Sequence, residues 1–139
     1  YQNYLNNLSS DLNISTRVHF LGNIQNIPEF LAELDIFILP TMEKGEGMGV
    51  ALLEASACGK ACIGTNVTGI RDIIINGETG ILVPPSDSQA LADSISALVA
   101  SPEERKRLGT NARKRVEQNF SIEREVKAHE ALYEELMGR

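Results

Sequence analysis

Two carboxylates eight positions apart, Glu46 and Glu54, frame a stretch loosened by Gly45, Gly47 and Gly49 and continued by Val50-Ala51-Leu52-Leu53. A carboxylate accepts two hydroxyls at once, which suits the vicinal diol of a ribose or a hexose. Glycines let a ligand approach backbone amides with no Cβ in the way. If a helix starts near Gly49, its first amides have no intrahelical partner and attract anions. Glu54 then lies only about 8 Å in from that first turn, at about 1.5 Å per residue. Both carboxylates can face one ligand, and phosphate or polyol chemistry is expected. The same residues also fit a structural reading, in which Glu46 faces the positive end of a helix dipole and Glu54 is solvated.

The elements that must position this stretch are legible on either side of it. Upstream, Asp35-Ile36-Phe37-Ile38-Leu39-Pro40 is a short unbroken apolar run, the pattern of a strand buried on both faces of a parallel sheet, and Pro40 ends it. Strand, loop and helix in that order place a ligand at the carboxyl end of the strand. Earlier, Tyr1, Leu5, Leu8 and Leu12 fall at helical spacing, Arg17 to Leu21 reads as a strand ending at Gly22, and Pro28 opens a packing helix with Ile27, Phe30, Leu31 and Leu34 as its apolar stripe. Inside the strand pattern, His19 reads as a satisfied or half-buried histidine. Downstream, Gly59 stops the helix that carries Glu54, Ala61-Cys62-Ile63-Gly64-Thr65 is the next strand, Asn76-Gly77 is a turn, and Ile81-Leu82-Val83 before Pro84-Pro85 is a last short strand. This βαβα alternation predicts an α/β fold with a Rossmann-like parallel sheet, flanking helices and a helical C-terminal tail.

Past Pro85 the pattern is helical. Ser86 and Asp87 are cap candidates, Ser101-Pro102-Glu103-Glu104 reads as a capping box, and Ser121 caps a terminal helix. The basic cluster Arg105, Lys106, Arg107, Arg113, Lys114 and Arg115 surrounds Leu108, Ala112 and Val116 and reads as a solvated helix face, and His129 as a surface residue. With 139 residues and 42% apolar content the chain is read as one domain, 1–139, with 121–139 its terminal helix. A formal charge of −6 argues against a nucleic-acid partner. The apolar runs are far shorter than the roughly 20 residues of a membrane span. Cys58 and Cys62, with no His near them in sequence, read as small packing residues and not as a zinc site. No dedicated metal is expected, and a reducing cytoplasm is the default setting. Gly47-Met48-Gly49 lacks the third glycine of a dinucleotide fingerprint, and Gly59-Lys60-Ala61 lacks the Ser or Thr of a P-loop.

Together, Glu46-Gly47-Met48-Gly49 with Glu54 and then Ala55-Ser56-Ala57-Cys58-Gly59-Lys60 resemble the Glu, seven residues, Glu signature of the group-1 family of retaining glycosyltransferases. Val18-His19-Phe20-Leu21-Gly22 before it, and Thr65 to Asp72 and Asn76 to Val83 after it, match in the family's order. The resemblance implies the C-terminal, nucleotide-sugar-binding domain of the two-domain GT-B fold, truncated at its N-terminal side. It implies a hexose donor such as a UDP- or GDP-hexose and no cofactor beyond that substrate. The acceptor would be a sugar, a lipid or a small molecule, with peripheral contact at a membrane in the lipid case. Acceptor groups would come largely from the missing N-terminal domain.

Carried over residue by residue, Glu46 is the catalytic carboxylate touching donor-sugar hydroxyls, and Glu54 takes the ribose. Gly47, Met48, Gly49 and Val50 meet the sugar and pyrophosphate, and the loop of Gly22 and Asn23 meets the base. Met48, Ala61, Thr68 and Asp72 depart from the family's usual Phe, Pro, Gly and Glu. Phe120-Ser121-Ile122-Glu123 resembles its domain-closing segment. The family sheet is six-stranded, order 3-2-1-4-5-6, and the strands here correspond to its third through sixth. The gap then implies either that Val18 to Leu21 fills the space beside Ile36 to Leu39, or that the bare edge there pairs with a second copy or with missing segments. The competing expectation is a non-catalytic α/β interaction module whose glutamates are structural.

Overall fold

A computed structural model of the chain describes residues 1–42 and 47–138. The expected strand-loop-helix core is there: β1 (Ile36–Leu39) leads to α3 (Val50–Ala57), β2 (Ala61–Thr65), α4 (Ile70–Ile73) and β3 (Ile81–Val83). The three strands form one parallel sheet in the order β1-β2-β3, with Ile36 opposite Ala61 and Ile63 opposite Ile81. Before the sheet come α1 (Gln2–Asp11), a 3-10 turn (Ser15–Arg17) and α2 (Ile27–Glu33); after it come α5 (Ser88–Ala100), α6 (Pro102–Asn119) and α7 (Ile122–Leu136).

Side chains of a strand alternate between its faces, and both faces here are covered. Phe37, Leu39, Cys62 and Leu82 pack on one side with Leu31 of α2, Leu52 and Ala55 of α3, and Ile70, Ile73 and Ile74. Ile36, Ile38, Ala61, Ile63, Ile81 and Val83 pack on the other with Leu98 of α5 and Leu108 of α6. Asp87, Ser101 and Ser121 cap α5, α6 and α7 by accepting from the amides of Ala90, Glu104 and Arg124. Ser86 does not share the capping and adopts a left-handed φ of 62°. The capping box at Ser101 forms only in its first half, because the Glu104 carboxylate is held by Arg107 at 2.6 Å.

α6 holds the fold by two devices. Gly109 packs against the backbone of the Gly59 turn so closely that a Cβ would lie 2.0 Å from the Gly59 carbonyl oxygen. One face of the helix then donates side-chain hydrogen bonds to the segment before β3. Arg107 reaches the Gly77 carbonyl at 2.8 Å, Asn111 that of Glu78 at 3.0 Å, and Arg115 those of Ile73 and Asp72 at 2.8 and 2.9 Å. Arg105 donates to Leu98 and Val99 and pairs with Asp35 at 3.5 Å. The reading of this cluster as a solvated face is thereby corrected for Arg105 and Arg115, while Arg107 bonds to Gly77 from an exposed position.

Two further expectations change. Residues 18–21 are not a strand: Val18 is extended, but no described strand runs beside it, and a ladder requires a partner. The segment therefore does not fill the space beside β1, Phe20 and Leu21 stay exposed, and so does His19. The α1 stripe is also left open, with Leu8 39% and Leu12 59% exposed. No residue of α7 is buried. Among the described residues no helix is long and apolar enough to cross a membrane.

Candidate functional site

The loop after β1 and the start of α3 occupy the carboxyl end of the sheet. Glu46, with Gly45 before it, lies outside the described residues. Gly47 and Met48 are exposed, while Gly49 is buried in a left-handed conformation, φ 54° and ψ 48°, that a side chain would strain. Gly49 is the N-cap residue of α3 and has no side chain with which to cap it, unlike the residues that open α5, α6 and α7. Its carbonyl accepts from Leu52 at 2.8 Å, so the amides of Val50 and Ala51 stand ahead of the first intrahelical bond, at the positive end of the helix. Behind the loop, the Thr65 hydroxyl donates to the Thr41 carbonyl at 2.7 Å and ties the exit of β1 to the end of β2.

Glu54 lies on the exposed side of α3, where it lines a cleft of about 280 Å³. Gly22 and Asn23 line the same cleft, with Gly22 at a left-handed φ of 66°. Ile27 and Phe30 of α2 and Phe37 of β1 supply an apolar wall, and Ala51 adds no bulk beside Glu54. Residues more than thirty positions apart in the chain, Asn23 and Glu54, thus share one hollow. Among the described residues nothing donates a hydrogen bond or pairs an ion with the exposed Glu54 carboxylate. A carboxylate, a backbone loop and an apolar wall lining one cleft suit a nucleoside: diol to the carboxylate, base to the wall and loop.

Met48 stands at a neighbouring hollow of about 290 Å³ that it shares with Leu53, Phe120 and Arg124, between the loop and the start of α7. The sequence reading did not anticipate the wall residues Phe30 and Phe37 as part of the site. In the sequence both read as packing residues, and only the fold brings them to the cleft. Among the described residues there is no group of three or more His, Cys, Asp and Glu able to hold a metal ion.

Comparison with known proteins gives the same region a context. Residues 1–115 match the family described as glycosyl transferases group 1. The chain is 38% identical over 130 residues to N-acetyl-alpha-D-glucosaminyl L-malate synthase of Bacillus anthracis, an alignment covering 94% of this chain and 34% of that protein. A glycosyltransferase from Rickettsia africae superposes with a TM-score of 0.91 at 28% identity, over 98% of this chain and 36% of that one. Anabaena Alr3699/HepE, crystallised in complex with UDP, gives 0.89 at 26% identity, over 100% of this chain and 37% of its own. The chain therefore spans about a third of the length of these relatives, and its sheet and helices correspond to part of the C-terminal domain of their GT-B fold. By the match over residues 1–115, this chain belongs to the group-1 glycosyltransferase family.

Proposed function

We propose that this chain is the donor-binding part of a retaining glycosyltransferase. The whole enzyme moves a hexose from a nucleotide sugar, UDP- or GDP-linked, to a hydroxyl of a sugar, lipid or small-molecule acceptor. The observation that carries this reading is the meeting of Glu54, unpaired among the described residues, with the Gly22 and Asn23 loop in one cleft beside the uncapped mouth of α3. Glu54 accepts the two ribose hydroxyls, and the loop meets the base through its backbone. Gly47, Met48, Gly49 and Val50 surround the sugar and pyrophosphate, and Glu46 takes hydroxyls of the donor sugar. As the glycosidic bond breaks, negative charge grows on the leaving diphosphate. Amides already oriented by α3 stabilise that charge without reorganising. The acceptor is held by protein outside these residues. UDP bound to the Anabaena relative makes it the first nucleotide to test. A non-catalytic module would leave Glu54 as one more solvated carboxylate and would bind neither nucleotide.

Titration calorimetry of UDP and GDP with the whole protein tests the assignment. Glu54→Gln keeps one acceptor and should weaken binding by about 1.5–3 kcal/mol, the range for hydrogen bonds to charged groups. An unchanged dissociation constant removes Glu54 from the site. Glu46→Ala should cut turnover while leaving free diphosphate affinity nearly intact, because it touches the sugar and not the nucleotide. Retention is read from the anomeric proton signal of the product, and inversion would overturn that part of the proposal.

A further inference from the structure

We propose that Lys60 is a positioning residue for the cleft: its ammonium fixes α2, the helix that forms the apolar wall, and so sets nucleotide affinity without touching the nucleotide. This rests on the cleft being the nucleotide site. The helix is short, Ile27–Glu33, and its outer residues are exposed. Leu31 is buried in the core with Ile27 and Leu34 packed beside it, while Phe30 turns to the cleft. An isolated helix of this length does not hold itself together in water, so its position depends on what grips it. Neither end is gripped by a side chain of its own segment: Asn26 makes no capping bond and Glu29, in the first turn, faces solvent.

The grip comes from elsewhere in the fold. Lys60 Nζ donates to the Ala32 carbonyl at 2.6 Å, in the last turn of α2, from 28 residues away. A carbonyl there has no intrahelical donor, and a cation at that end also meets the negative pole of the helix. Lys60 is itself placed by the turn that ends α3: Gly59 is left-handed at φ 70°, and the Lys60 amide donates to the Ala55 carbonyl at 3.0 Å. One turn of chain thus joins the helix bearing Glu54 to the helix bearing Ile27 and Phe30, both of which line the cleft. Lys60 itself does not line it, so its effect on a ligand is indirect.

The test uses the whole protein with Lys60→Met, which keeps the stem and removes the donor, and Lys60→Arg, which restores a donor. Hydrogen exchange on residues 27–34 and calorimetry with UDP and GDP are read on each. If α2 leaves its place part of the time, apparent affinity falls by the fraction out of place. Lys60→Met should therefore speed exchange in 27–34 and weaken the diphosphate, a loss of about twofold meaning that α2 is out of place in about half of the molecules. Lys60→Arg should recover both, and inorganic pyrophosphate, too small to reach the α2 wall, should compete equally well in all variants. A purely structural lysine would speed exchange and leave the ratio of nucleotide to pyrophosphate affinity unchanged, which overturns the proposal; so does unchanged exchange. Glu54→Gln separates the two failures. Weaker binding there with no effect of Lys60→Met sinks this inference alone, whereas a parent protein that binds neither diphosphate sinks the cleft reading and this role with it.

Discussion

Gly109→Ala sets two known effects against each other. Replacing a helical glycine by alanine favours the helix by about 1 kcal/mol, and by that measure alone the variant should be more stable. Yet the new Cβ would stand 2.0 Å from the Gly59 carbonyl oxygen and 2.8 Å from its carbonyl carbon, and ordinary contact begins near 3.4 Å. The obstacle is backbone on both sides, so α6 has to move by more than an ångström. The bonds from Arg107, Asn111 and Arg115 to the carbonyls of residues 72–78, now 2.8–3.0 Å, do not tolerate a shift of that size. Overpacking costs about 1–3 kcal/mol and each lost hydrogen bond about 1 kcal/mol. After the helix gain is subtracted, a net loss of about 3–6 kcal/mol remains, or about 9–24 °C in Tm for a chain of this length. Urea unfolding followed by far-ultraviolet circular dichroism measures it, the chain having no tryptophan. A midpoint equal to or above that of the parent would refute the close contact between α6 and the Gly59 turn.

Burial pushes the Cys62 thiol from its ordinary 9.0 up to about 11, against a smaller lowering by the Ser56 hydroxyl. A folded value above the unfolded one gives stability that is complete below pH 9 and lost as pH climbs toward 11, here about 2–3 kcal/mol. Urea midpoints at pH 8 and 10.5 should diverge in the parent and less so in Cys62→Ala; equal slopes in both would sink the argument. Thr65→Val removes the bond to the Thr41 carbonyl and should cost about 1 kcal/mol, and an unshifted midpoint would show that the loop is held otherwise. The outer edge of β1 has no described neighbour, so the isolated chain is expected to self-associate through it. Sedimentation velocity over a concentration series checks this, and a stably folded monomer at every concentration would contradict it.

Most of the sheet could be read from the chain because its signals are local. Ile36 to Leu39 and Ala61 to Thr65 are unbroken apolar runs, Pro40 and Gly59 punctuate them, and Asp87, Ser101 and Ser121 cap the helices that they precede. Val18 to Leu21 carries an equally good local pattern and forms no strand, since pairing is a property of two segments and not of one. The α6 contacts were hidden for the same reason. Arg107, Asn111 and Arg115 recur every four residues on one helix face, a spacing that also describes a solvated surface, and only the turn at Gly77 and Glu78 turns it into a grip. At the candidate site, Glu54 and the Gly22 loop were marked by residue type and order. The wall of Phe30 and Phe37 had no such mark, because an aromatic residue in a packing stripe looks the same whether it faces a core or a cleft.

The hold of α6 on the rest of the fold has a consequence for the order in which the chain is made. A growing polypeptide leaves the ribosome from its N-terminus, and domains generally fold as they emerge. Here the three strands are out long before Leu108, which is wholly buried against Ile63 and Val83, and before the side chains that engage the carbonyls of residues 72–78. Until about residue 119 is free, one face of the sheet lacks part of its cover and the segment entering β3 lacks its donors. The sheet is therefore expected to close only once α6 has emerged. A nascent chain arrested within α6 should remain open to protease, and release of the last few turns should close it in a single step.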